Sequence, residues 1–379
     1  MNALHVLPTS IRVFVDRLNA PLVGGKSAAK TTTDRGYLVN PIFDLSLLIL
    51  SPLWALVFGY MISLDEVANQ SIVTGPLVEH FSYSGTPVDL LMGTIIMAHV
   101  FVVFFRSHGN PAIFRQFKAR FTLVPVLLFV GLMTSSWVVV CTTVLATWWD
   151  VYHSGAQTFG LARIYDSRVG NDSSAGRRWD FWLNQVLYAG PILAGAMLMS
   201  HVDDFEEFGD VQATFFTAIP AKAATYHSWI TWAVIGIGVP FIACYLLAFR
   251  KLRKQGYMVS TQKALLLAST ALVSIWAWGF NSFGQAFVIM NLFHAVQYFA
   301  IVWATEKESM QRLFRLGRSP GIGRFVTLGL FLAIGTVYGV TVEVGRGHAL
   351  FAASLVISIM HFWYDGFIWS VRRKQVDPV

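Results

Sequence analysis

Residues 121–160 read FTLVPVLLFVGLMTSSWVVVCTTVLATWWDVYHSGAQTFG, a stretch that up to residue 149 offers a break only at Thr134-Ser135-Ser136. How often it crosses a membrane decides the architecture. A single helix over 120–149 would be about 45 Å long, well beyond a hydrocarbon core of about 30 Å, and would leave the chain with nine spans. A break at the serines, in the apolar stretch that follows Pro125, gives two helices and ten spans.

Working outward, apolar runs recur at 42–63, 88–106, 120–134, 136–160, 181–200, 226–249, 263–281, 283–304, 325–342 and 349–371. With ten spans and the N-terminus inside, all 28 Lys and Arg except Lys222 and Arg346 fall on cytoplasmic segments, as the positive-inside bias requires. Nine spans would move Arg163, Arg168, Arg177 and Arg178 outside. The sequence therefore predicts an all-α, polytopic membrane bundle of ten helices with both termini cytoplasmic. Residues 1–40 form a basic arm, 41–371 the transmembrane domain and 372–379 a short tail, in a protein expected in a bacterial inner (plasma) membrane. The segment Pro111–Arg120 reads as a short interfacial helix.

Composition agrees. The 379 residues are 55% hydrophobic and 13% charged, with a mean hydropathy of +0.55, too apolar for a soluble domain. The net charge of +7 is spread over short loops and forms no single patch, so no nucleic-acid partner is expected. The arm lacks the apolar core of an export signal. Only two cysteines, Cys141 and Cys244, are present. That rules out covalent haem c and clusters held wholly by cysteine, so any metal must take nitrogen and oxygen ligands.

Histidines supply the nitrogen. His99, His153, His294 and His361 lie in four separate spans, each several residues before the basic stretch that ends the span. In the ten-span topology these four helices all run outside to inside, so the residues share a depth. Ionisable groups within a bilayer are costly and point to function. The alternative is four neutral histidines hydrogen-bonded between helices. Asp150 and Gln157 follow the i, i+3 and i, i+4 spacing around His153, and Asp365 lies one turn after His361, so each shares a face with its histidine. The expected metal set is His99, His153, His294, His361 and Asp365, with Asp150 and Asp365 as catalytic carboxylates. Gln157, Gln297, Tyr152, Trp363 and Tyr364 are expected to meet substrate. His108 could replace His99 if its helix extends inward, and Asp44 could join the site or cap its own helix. His80, His201, His227 and His348 fall at the outer face, and His5 in the arm. The arginine-bearing loop 163–180 could receive a lipid phosphate.

Histidines gathered near the cytosolic ends of helices resemble membrane-embedded non-haem iron enzymes such as fatty-acid desaturases and hydroxylases, although the HxxxH and HxxHH boxes are absent. His361 and Asp365 are similar to isolated residues of bacterial Brp/Blh carotene-cleaving oxygenases. These likenesses imply iron chemistry on an apolar chain but transfer no activity.

The leading expectation is a membrane metal-dependent oxidoreductase, with iron as cofactor, acting on a membrane lipid or isoprenoid. An electron donor or partner membrane subunit would accompany it. Two other classes stay open at this point. One is a proton- or cation-coupled transporter using the same His and Asp residues. The other is a membrane subunit clamping haem b between histidines of adjacent helices.

Overall fold

The computed structural model describes residues 36–195, 222, 225–316 and 320–369. Most of the arm, the C-terminal tail, His5, His201 and nearly all of the 201–225 connection lie outside the described residues. Every regular element among the described residues is helical.

The first apolar run is a broken helix. A turn at Pro41–Phe43 leads into a π-helical stretch, Asp44–Ile49, and after Leu50 the chain continues as α1 (Ser51–Ser63), bent by 52° from the preceding piece. There follow α2 (Pro76–Phe81), α3 (Pro87–Phe101), α4 (Val103–Ser107), α5 (Pro111–Gln116), α6 (Lys118–Thr134), α7 (Ser136–Arg168), α8 (Arg177–Ala194), α9 (His227–Lys254), α10 (Thr261–Phe280), α11 (Phe283–Leu313), α12 (Pro320–Val344) and α13 (His348–Ile368). Each apolar run named above thus contains helix. Among the described residues, six helices are long and apolar enough to cross a membrane, α3 and α4 counting as one, and seven if the bent first pair is one span. The chain has the make-up of a multi-pass helical membrane protein.

Ser135 separates α6 from α7. Its backbone is extended (φ −142°, ψ 116°), and its hydroxyl accepts the Val138 N–H, so one residue ends one helix and caps the next. The chain reverses there. Phe117 at the start of α6 packs on Phe367 near the end of α13, while the Leu132 carbonyl at the other end of α6 accepts from His348 at the start of α13. α6 and α13 are therefore antiparallel.

α11 is the central helix, with 78% of its most apolar stretch buried, whereas α9 buries only 6% and presents Trp229, Trp232, Ile237 and Val239 outward. Two devices tie the bundle. Along α3 and α12, Gly339 faces the Thr94 carbonyl and Gly335 faces Ala98 and Val102, so the backbones approach as closely as small residues permit. At the basic end of α7, Arg163 and Lys263 each bond both Asp166 and Asp180 (2.5–2.9 Å), with Tyr245 and Tyr257 donating to the remaining carboxylate oxygens. The two cations and two carboxylates are buried and join α7, α8, α9 and α10. Arg163 is thus committed to an internal ion network, a use that basic-loop composition did not reveal.

Candidate metal centre

Four helices of equal polarity surround the centre. His294 of α11 meets His99 of α3, and farther along, Glu306 of α11 pairs with Arg106 of α4. His153 of α7 meets His294, and one turn later Gln157 meets Gln297. His361 of α13 meets His99 of α3, and farther along the Ile368 carbonyl accepts from Arg106 of α4. Residue numbers rise together in each pair, so these helices run in the same direction.

Their histidines form a ring of four. The centroids of His99 and His294 are 5.1 Å apart, of His294 and His153 5.2 Å, of His153 and His361 4.7 Å, and of His361 and His99 5.1 Å, all near perpendicular or steeply inclined. The Nε2 atoms of His153 and His361 are 3.0 Å apart, and the Asp365 Oδ2 lies 3.8 Å from the first and 4.0 Å from the second. Two ligand triads share His361: His99, His294 and His361, and His153, His361 and Asp365.

All four histidines are buried. Both ring nitrogens of His99, Nε2 of His294 and Nδ1 of His361 have no hydrogen-bond partner. A buried polar atom left unsatisfied costs about 1–3 kcal/mol, and a ligand shared by one nitrogen of each of the three rings would relieve that cost. A metal fits the geometry, since nitrogens bound at about 2.1 Å and at right angles to each other lie about 3.0 Å apart, the separation of the His153 and His361 Nε2 atoms; with no ion the same separation is that of a hydrogen bond between two neutral rings.

The surroundings fix the carboxylate. Tyr298 O–H and Trp369 Nε1–H both donate to Asp365 Oδ1, at 2.7 and 2.9 Å, which leaves Oδ2 for the histidine side. The Arg106 guanidinium lies 4.0 Å over the Trp369 ring, donates twice to the Ile368 carbonyl and pairs with Glu306, which also accepts from Asn110. A polar chain therefore runs from Asp365 toward the basic ends of these helices.

The other expected residues fall elsewhere. Asp150 is half-buried one turn before His153, within electrostatic range of Tyr188, and makes no hydrogen bond or ion pair among the described residues. Gln157 donates to the His294 carbonyl and to Gln297 Oε1, and Gln297 donates to the Leu48 carbonyl in the broken first helix. Both glutamines clamp backbone beside the histidines. Tyr152 is 45% exposed and meets Phe181. Trp363 and Tyr364 pack on Phe367, and Tyr364 also packs on Phe121 of α6. None of the three makes a ring contact with the four histidines among the described residues. At about 100° per helical residue, residues one or two places from a ligand are rotated off its face; Phe362 is the neighbour that still packs on His153 and His361.

His108 is committed outside the cluster, bonded to Ser107 and the Phe121 carbonyl and stacked on Phe104, so His99 is the α3 member. Asp44 accepts from the Leu38 and Val39 N–H groups and from Tyr165 O–H, holding the start of the first helix. At the opposite end, His227 bonds the Gly195 carbonyl, His348 bonds that of Leu132, and His80 is exposed.

Composition did not single out Trp369, Arg106 or Glu306. Trp369 stands four residues after Asp365, and Tyr298 four after His294, a one-turn spacing that marks both as neighbours of the site. Arg106 and Glu306 carried no such local sign. No known family model, characterised protein or solved structure matches the chain.

Proposed function

We propose that His99, His153, His294, His361 and Asp365 hold a transition metal, iron by preference. The protein is then a membrane-embedded, metal-dependent oxidoreductase acting on a lipid or isoprenoid. The observation that carries this reading is the convergence of four buried imidazoles from four distant helices, several of their nitrogens unpaired, beside an oriented carboxylate.

The triad of His153, His361 and Asp365 is the two-histidine, one-carboxylate set that leaves positions open on non-haem iron. A bound iron would supply the redox chemistry that C–H or C=C bonds of an apolar substrate require. The protein's part is to keep water away, to hold the Asp365 carboxylate through Tyr298 and Trp369, and to fix Trp369 under the Arg106 guanidinium, which is itself paired with Glu306. Rings packed edge to face at 4.7–5.2 Å leave no porphyrin-sized slot between them, which favours a bare ion over haem. For a coupled transporter no comparable convergence speaks among the described residues, where Arg106, Arg163 and Lys263 are each held in buried ion pairs.

The topology that accompanies this reading has ten spans, both termini cytoplasmic and the site in the inner-leaflet half, in a bacterial plasma membrane. The reversal at Ser135 and the common direction of the four histidine helices support it. Elemental analysis and an absorption spectrum of purified protein test the function. Stoichiometric metal in wild type, lost in both His153→Ala and His361→Ala with folding retained, is expected. Metal-free wild type purified without chelator would refute it.

A further inference from the structure

A cavity of about 560 Å³ opens between α1, α3, α11 and α12, at the ends of these helices opposite Arg106 and Glu306. Its size lies in the range of small-molecule sites, roughly 300–1,000 Å³. The wall on α3 is Asp89, Met92, Gly93, Ile96 and Met97, one continuous helix face, and α11 contributes Gly284, Gln285, Phe287 and Val288. Polar groups gather at the mouth, where Glu343 of α12 joins Asp89 and Gln285, and the interior is apolar. The inner end, at Ile96, is one helical turn from His99, about 4.5 Å along the axis.

Two details show a formed site. A Cβ at Gly93 would collide with the Glu343 carboxylate, so the glycine is what lets that group lie over the cavity wall. Glu343 receives only a long 3.5 Å bond from Tyr83 O–H, whereas Asp89 spends one oxygen on the Thr86 N–H and hydroxyl in a helix cap. Glu343, half-buried beside the apolar wall, thus has unmet acceptor capacity, as has the second oxygen of the exposed Asp89.

We propose that this cavity binds a single-chain amphiphile whose head donates hydrogen bonds to Glu343, as an ammonium or a hydroxyl, and whose hydrocarbon chain runs between Met92, Ile96, Phe287 and Val288 toward His99. The proposal deepens the metalloenzyme reading, on which it rests for the fate of the chain end. From Asp89 to His99 the helix rises about 15 Å, enough for a chain of about a dozen carbons. The head group would sit in the outer half of the bilayer, so the substrate enters from that side while the metal lies toward the inner side.

The test uses the full chain in phospholipid vesicles and three photoprobes with a diazirine at the chain end: dodecanol, dodecylamine and dodecanoic acid. Cross-links are mapped by mass spectrometry, and bound metal is measured on the same samples. Gly284 has no atom within 4 Å of an added Cβ, so Gly284→Phe fills the mouth without disturbing the helix. Expected is labelling of Ile96, Met97, Phe287 or Val288 by the alcohol and amine above the acid. It should be competed by plain dodecanol and cut by about tenfold in Gly284→Phe, equivalent to about 1.4 kcal/mol. Glu343→Gln should erase the preference over the acid while labelling persists. Labels confined to lipid-facing residues, or unchanged by Gly284→Phe, would overturn the proposal. Cavity labelling in protein that holds no metal would uphold the cavity and refute the metalloenzyme reading, so the two can fail separately.

Discussion

Replacing Tyr298 by Phe removes one oxygen and little else, and the structure says what that oxygen does. The Tyr298 ring is 1% exposed, and its hydroxyl donates to Asp365 Oδ1 at 2.7 Å. A hydrogen bond to a charged acceptor is worth about 1.5–3 kcal/mol. After the change Trp369 alone holds that oxygen, and the carboxylate is free to turn from the histidines. Loss of such a supporting bond lowers metal affinity by about 10- to 100-fold. Tyr364 is the control, because it is fully buried on the same bundle but its hydroxyl has no partner. Tyr364→Phe removes an unsatisfied group that costs about 1–3 kcal/mol, so it should leave affinity alone and raise thermal stability. The assay is metal retention against a graded series of chelator, alongside thermal unfolding in detergent. If both variants shift metal affinity equally, or neither does, the reading of Tyr298 as the residue that orients Asp365 is refuted.

Other perturbations address separate parts of the structure. His99→Ala should abolish most metal retention while His108→Ala keeps it, because only His99 faces the other histidines; retained metal in the first or loss in the second would contradict that assignment. Lys263→Met leaves Asp166 and Asp180 with Arg163 as their one shared cation, and breaking a buried pair in this way costs about 3–5 kcal/mol. A clear fall in the unfolding temperature is expected, and an unchanged one would show the network to be dispensable. Gly339→Ala places a methyl group against the Thr94 carbonyl and should destabilise the α3–α12 contact by about 1–3 kcal/mol, read as loss of folded protein on heating; a neutral result would mean these helices part easily.

Some of the site was legible because it is periodic along single helices. The pair His361 and Asp365 and the partner Tyr298 of His294 are each set by a one-turn spacing, and a turn of helix brings such residues to one face whatever surrounds it. The two glutamines shared that spacing, yet Gln297 reaches the Leu48 carbonyl across to the first helix. Its role depends on a π-helical break that local sequence does not announce. Tyr152, Trp363 and Tyr364 adjoin ligands in sequence and turn to other neighbours, since adjacency in a helix separates faces. Arg163 read as a topogenic charge, and only the approach of Lys263 and Asp180 makes it part of a closed network.

The sequence by itself determined the helical membrane character, the places where helices form, the break at Thr134-Ser135-Ser136 and the like placement of four histidines, each shortly before a basic stretch. These follow from burial costs and from rise per residue along one segment, which need no knowledge of other segments. Tertiary structure alone decided that α3, α7, α11 and α13 are neighbours, that His99 and not His108 completes the ring, and that Trp369 and Arg106 stand behind Asp365. Adjacency and rotation of helices arise from contacts between residues far apart in the chain, such as Arg106 and Ile368, 262 positions apart. No local pattern encodes such a contact, because each partner is satisfied only once the other helix is in place.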